Sequence, residues 1–156
     1  RIAGQDIYAE DANLKDVYEA ISKQFDVKPE ETEVGSVIFA VKPGDGSARE
    51  QAASCQRVLG GMANIAREYA TKRYRSNLIN WGMIPFVIDQ GELPFHNLDY
   101  LFVPQIREAI ADGKTEFEAY VVKDGALKPF TLRMGELTPD EKDIILKGCL
   151  INYYRG

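Results

Sequence analysis

The chain has 156 residues, 45% hydrophobic and 28% charged, a balance that fits one globular domain with a sizeable core and excludes collagen-like, disordered and membrane compositions. Its net charge of -5 gives no overall attraction to nucleic acid or to an anionic membrane surface, so neither is an expected partner and any anion site has to be local. Two cysteines without a Cys-x-x-Cys pair and a single histidine, His96, cannot build a zinc or iron-sulfur site, and no apolar run approaches the roughly 20 residues of a membrane span.

In chain order, Leu14, Val17, Tyr18, Ile21 and Phe25 recur at helical spacing, so an amphipathic helix is expected over Asn13 to Phe25, with Lys28 to Glu33 as its exit loop. Ser36 to Val41 is a continuous β-branched and aromatic run, expected as a buried strand that stops at Pro43, Gly44 and Gly46. Ser47 with Glu50 three residues on reads as a capping box, which places a helix start at Ser47 and the helix over roughly Arg49 to Leu59. Gly60 and Gly61 break it, and Met62 to Ala66 suits another buried strand. Tyr69 to Trp81 follows helical spacing through Ala70, Tyr74 and Leu78, and Gly82 ends it. Ile84 to Ile88 reads as a strand whose Pro85 suits an edge. A turn-rich stretch leads to a short helix near Pro104 to Ala111. Thr115 to Val122 and Leu127 to Leu132 then form a hairpin around the turn Lys123 to Ala126. Thr138, Pro139 and Glu141 make a second capping box, opening a final helix to about Tyr154, which Tyr153 and Tyr154 are expected to dock. Strands alternating with helices in the middle and pairing late argue a mixed α/β domain with layered packing.

The basic residues Arg67, Lys72, Arg73 and Arg75 surround Glu68 and read as a solvated face. Cys55 reads as core, and two free thiols in a reducing compartment and a disulfide both remain open. His96 reads as a loop residue. No signal peptide is visible, a cytoplasmic location is expected, and the non-methionine start at Arg1 suggests a piece of a longer polypeptide.

The segment Gly44 to Glu50 carries the chemistry. A strand end that opens through glycines onto a helix start aims free backbone N–H groups at any anion held there, and the planar fork of Arg49 can grip a carboxylate bidentately. The alternative is that Ser47 only caps the helix and Arg49 is an exposed first-turn residue. Against that alternative, a cation in a helix's first turn costs a few tenths of a kcal/mol unless an anion offsets it, roughly. The turn is neither a Walker motif nor a dinucleotide fingerprint.

These residues also carry a resemblance. Gly46-Ser47-Ala48-Arg49-Glu50-Gln51-Ala52-Ala53, followed by Gln56 to Gly61, resembles the Gly-Ser-Ser-Arg-Glu-His-Ala-Ala signature of the aconitase family. Asn77-Leu78 with Gly82-Met83-Ile84-Pro85 resembles that family's Asn-Leu-x-x-x-Gly-Leu-Leu-Pro stretch, and Lys147 to Tyr153 resembles its closing helix. The resemblance is to the C-terminal swivelling domain, and it implies an α/β fold of three β/β/α layers filling residues 1–156 as one domain, the C-terminal part of a longer chain. It implies Ser47 as the base and Arg49 as the carboxylate ligand in a reversible dehydration of a hydroxy di- or tricarboxylic acid, with Gly46 and Ala48 lining the substrate. A [4Fe-4S] cluster, held by other domains of the same protein, would act as Lewis acid on the departing hydroxyl, so those domains and the hydroxy acid are the implied partners and the isolated domain is expected to be inactive. Ala48 stands where the family has a second serine, and Gln51 where it has histidine, so one substrate-facing hydroxyl is missing. Two other readings stay open: a free-standing small subunit of an isopropylmalate-dehydratase-type enzyme, and a non-catalytic homologue that binds a carboxylate or a partner.

Overall fold

The computed structural model describes residues 2–4 and 10–155. Its elements in chain order are β1 (Ile2–Ala3), α1 (Ala12–Ser22), a 3-10 turn (Pro29–Glu31), β2 (Glu33–Val34), β3 (Ser36–Ala40), α2 (Arg49–Val58), β4 (Gly61–Ala66), α3 (Lys72–Asn80), β5 (Ile84–Val87), β6 (Tyr100–Phe102), α4 (Ile106–Ala111), β7 (Glu116–Lys123), β8 (Ala126–Arg133), α5 (Pro139–Lys147) and α6 (Leu150–Tyr154). Six strands hydrogen-bond in the order β3-β4-β5-β8-β7-β6, and β1 pairs with β2 in a separate ladder. The chain divides into two units, residues 36–90, 105–117 and 132–156 in one and residues 1–35, 91–104 and 118–131 in the other.

In the larger unit β3, α2, β4, α3 and β5 alternate, so the strands run parallel and each helix is the crossover between them. Ala53 of α2 packs with Tyr74 and Leu78 of α3 and with Met83, and Tyr69 and Trp81 lean on that cluster. Asn64, Ile65 and Ala66 of β4 and Phe86 of β5 are buried beside them. The β3 strand departs from expectation. It pairs with β4 alone, and as the edge of its sheet it leaves Ser36, Val37 and Ile38 exposed instead of buried. Pro85 departs in the opposite sense, since β5 lies between β4 and β8 and its proline is fully buried. It is tolerated because β8 meets β5 only at Val87, opposite Arg133, so the missing N–H falls outside that pairing.

Helix α3 begins at Lys72 and not at Tyr69, because the Thr71 hydroxyl accepts the Tyr74 N–H and fixes the start there. Tyr69 is thereby left in the loop, where its hydroxyl donates to the Phe86 carbonyl at 2.8 Å. The capping box of Thr138 and Glu141 opens α5 as expected. The single closing helix is in fact two, since Gly148, at φ +93, ends α5 in the left-handed region. Tyr153 donates to Asp140 at 3.0 Å, but Tyr154 is 79% exposed and does not dock the helix. Cys55 is exposed on α2, not core, because the helix turns its Ala53 side inward.

In the smaller unit, Asp11 caps α1 through bonds from Asn13 N and Leu14 N, and the helix stops at Ser22, three residues before the expected end. Ala20 and Ile21 pack on Val122 of β7. Phe25, freed from the helix, meets Phe102 and Tyr120 edge-on at 5.4 and 5.3 Å. The expected hairpin is present as β7 and β8, closed by Asp124 and Gly125 at φ +53 and +73, the two positive values that a two-residue turn of this kind demands.

Candidate active site

The parallel strands β3 (Ser36–Ala40) and β4 (Gly61–Ala66) end side by side, and the segments that leave them are tied together. The Val41 carbonyl accepts the N–H groups of Arg67 and Glu68 at 3.2 and 3.1 Å, and the Pro43 carbonyl accepts that of Ala70 at 2.9 Å. The next carbonyl, Gly44, accepts Arg49 Nε at 3.2 Å and Thr71 Oγ1 at 3.4 Å. Carboxyl ends of neighbouring parallel strands are where open α/β sheets place ligands.

Gly44 is glycine for two separate reasons. Its φ is +95, and a Cβ there would lie 2.5 Å from Cβ and Cγ of Tyr74. Tyr74 itself is buried, and its hydroxyl receives Gln56 Nε2 at 3.0 Å and Asn64 Nδ2 at 3.2 Å, so the floor under the turn is pinned from α2 and β4. Gly46 has nothing within 4 Å of where a Cβ would stand. It faces open space.

The capping box expected at Ser47 does not form. Helix α2 starts one residue later, its N-cap is Ala48 at φ -89 and ψ 46, and an alanine has no acceptor with which to cap. Three consequences follow for the site residues. Ser47 is exposed, and its hydroxyl has no hydrogen-bond partner among the described residues. The first-turn N–H groups of α2 keep no side-chain acceptor. Arg49 is half-buried and held by its Nε on the Gly44 carbonyl, which partly offsets an unfavourable place at the positive end of the helix and leaves the two terminal guanidinium nitrogens unengaged among the described residues. The structure therefore brings Ser47, Ala48 and Arg49 together on one turn with Gly46 in front of them.

Beside the turn, Lys42 and Glu68 pair at 2.6 Å, and the bond to Glu68 raises the lysine pKa above its ordinary value. Thr71 and the Gly44 carbonyl escaped sequence reading; the signal available was Thr71 three residues before Tyr74, the ordinary N-cap spacing. Among the described residues no three His, Cys, Asp or Glu side chains stand together as a metal-ion group, and Cys55 and Cys149 are both free, so these residues do not fit an iron-sulfur cluster. Likewise no described helix is long and apolar enough to cross a membrane. A cavity of about 400 Å³ lies in the smaller unit between α1 and the β7/β8 turn, with Asp16, Lys23 and Asp124 in its wall, and none of the expected site residues lines it.

The sequence matches the family described as aconitase C-terminal domain over residues 3–91, which is 89 of its 156 residues. No curated protein matches it. Among solved structures it is similar to the crystal structure of 3-isopropylmalate dehydratase from Methanocaldococcus jannaschii, at 23% identity and a TM-score of 0.56, over 95% of this chain and 80% of that one. That likeness shows the fold, the mixed α/β arrangement of β/β/α layers expected for a swivelling domain. With more than half of its length inside the family match, the chain belongs to the aconitase C-terminal domain family.

Proposed function

We propose that this chain is the C-terminal swivelling domain, residues 1–156, of a longer aconitase-like hydro-lyase that reversibly removes water from a hydroxy di- or tricarboxylic acid. The observation that carries the reading is the turn itself: an exposed, unbonded serine hydroxyl beside an arginine that is held by Nε with its terminal nitrogens unengaged, at an uncapped helix N-terminus. Ser47 Oγ takes the proton next to a substrate carboxylate. Arg49 grips that carboxylate with its terminal nitrogens, and its charge with the free N–H groups of α2 stabilises the serine oxygen while it is ionised. Gly46 lets the acid approach the backbone, and Ala48 leaves room where a second hydroxyl would stand. A [4Fe-4S] cluster held by domains outside this chain supplies Lewis-acid chemistry toward the substrate hydroxyl.

The test uses the complete protein, with citrate and 3-isopropylmalate as probes. The unchanged protein is expected to turn over at least one of them, and Ser47→Ala to lower kcat by about 10²- to 10⁴-fold, the usual weight of a positioned base, with KM little changed. A parent inactive on both acids, or a Ser47→Ala variant with full kcat, overturns the reading. A second reading, a separate small subunit, is supported by the fold likeness to 3-isopropylmalate dehydratase along 95% of the chain. It predicts that a large subunit copurifies with this chain as a distinct polypeptide.

A further inference from the structure

We propose that Thr71 is a positioning residue for Arg49, acting through the carbonyl oxygen of Gly44. This rests on the reading of Arg49 as the carboxylate ligand and adds a residue on a different element, at the start of α3 (Lys72–Asn80), that sets where the guanidinium points.

The geometry is a relay with one shared acceptor. A carbonyl oxygen has two lone pairs, and at Gly44 one is taken by Arg49 Nε at 3.2 Å and the other by Thr71 Oγ1 at 3.4 Å. The threonine hydroxyl has one proton, and because its oxygen already accepts the Tyr74 N–H at 3.1 Å, that proton is the one directed at Gly44. Helix α3 in turn cannot slide: Tyr74 fills the space under Gly44 and is held by Gln56 and Asn64. The Gly44 peptide plane is therefore fixed from below by packing and from the side by Thr71, and Arg49 reads its orientation from that plane. Because Nε is the nitrogen so engaged, a carboxylate meets the end of the fork, at the two terminal nitrogens, and not its Nε side. Fixing a guanidinium in advance lowers the ordering cost of binding, which appears in substrate affinity more than in the chemical step.

The experiment is a double-mutant cycle in the complete protein, using whichever of the two acids above the unchanged protein takes, with KM and kcat from turnover and Kd from calorimetry. Thr71→Val is expected to raise KM and Kd about fivefold, the weight of one hydrogen bond, with kcat within about twofold. Thr71→Ser, which keeps both the acceptor and the donor, restores the parent values. In an Arg49→Lys background, which lacks Nε, Thr71→Val adds nothing further. An unchanged KM in Thr71→Val, or the same rise in both backgrounds, overturns the inference while Arg49 keeps its role, since additivity means that the threonine does not act through the arginine. An Arg49→Lys variant with parental KM overturns the reading of Arg49 itself. Should loss of the cap prevent Thr71→Val from folding, Thr71→Gly replaces it: glycine is well tolerated at an N-cap and has no side-chain donor for the Gly44 carbonyl, so the same fivefold rise with a nearly unchanged Tm is expected.

Discussion

Gly44 and Gly46 stand two residues apart in one turn and ask different things of glycine. Only Gly44 has a positive φ and a neighbour, Tyr74, within 2.5 Å of an added Cβ; Gly46 has open space. Gly44→Ala is therefore expected to cost about 1 to 3 kcal/mol, and Gly46→Ala to stay within about 0.5 kcal/mol, both read from the urea midpoint. If Gly46 faces substrate, its variant loses affinity at full stability, and this separates a binding glycine from a folding one. Tyr69 supports a pH prediction. Its burial, first of all, and then the nearby Tyr74 raise its pKa above the ordinary 10.0. A group whose folded pKa is raised contributes stability that is fully present below the unfolded value and is lost as pH rises through the folded one, so the effect falls entirely on the alkaline side. Tyr69→Phe, which abandons the Phe86 carbonyl, should cost about 1 to 2 kcal/mol at neutral pH and flatten the loss of stability above pH 10, with absorbance at 295 nm showing one fewer late-titrating tyrosine. The turn that carries Ser47 and Arg49 was legible in the sequence because the glycines and their spacing announce a turn onto a helix. Thr71 was not, because its partner is the backbone of a residue 27 positions away.

At the level of elements, the ends of α3 and α5 (Pro139–Lys147) meet where two glycines face each other. Gly82 ends the first at φ +72, and a Cβ there would fall on the carbonyl oxygen of Gly148, which ends the second at φ +93. No side-chain rotation relieves a clash with backbone. Gly82→Ala should therefore cost about 3 kcal/mol or more, whereas Gly60→Ala, at φ +85 with nothing within 4 Å, should cost about 1 kcal/mol for the left-handed conformation alone; equilibrium urea unfolding compares the two. Equal losses at both sites would mean that the helix ends are free to part. The same two glycines show what was readable: Gly82 was seen as a helix stop, while Gly148 was read through, because apolar residues continue beyond it in helical spacing. Periodicity found α1, α3 and the β7/β8 hairpin, and a short apolar run after Gly60 and Gly61 found β4. It missed the exposure of β3 and the interior place of β5, because a strand's neighbours are decided by residues far away in sequence, and an apolar run looks the same at an edge as at a centre. The three-residue β6 and the two-residue β2 carry too few positions to show any period.

At the scale of the whole chain, the proposed site is half of a chemistry. On the reading proposed above, Ser47 and Arg49 supply a base and a carboxylate ligand, while among the described residues no three metal-ligating side chains stand together. Arg49 and the uncapped start of α2, in a chain of net charge -5, draw an anionic acid at short range only, since at physiological salt the field fades over about 8 Å. The isolated chain is accordingly expected to bind citrate weakly and to show no hydro-lyase turnover at any protein concentration. If the proposed reading holds, adding the cluster-bearing domains it calls for should produce turnover that saturates at one equivalent per chain, and a Ser47→Ala chain should bind those domains with unchanged affinity while failing to restore activity. Those two results together distinguish a missing base from a missing partner. Turnover by the isolated chain, free of added iron, would place the whole reaction on this turn and remove the need for a second component, because a serine base and an arginine alone would then suffice to expel the hydroxyl.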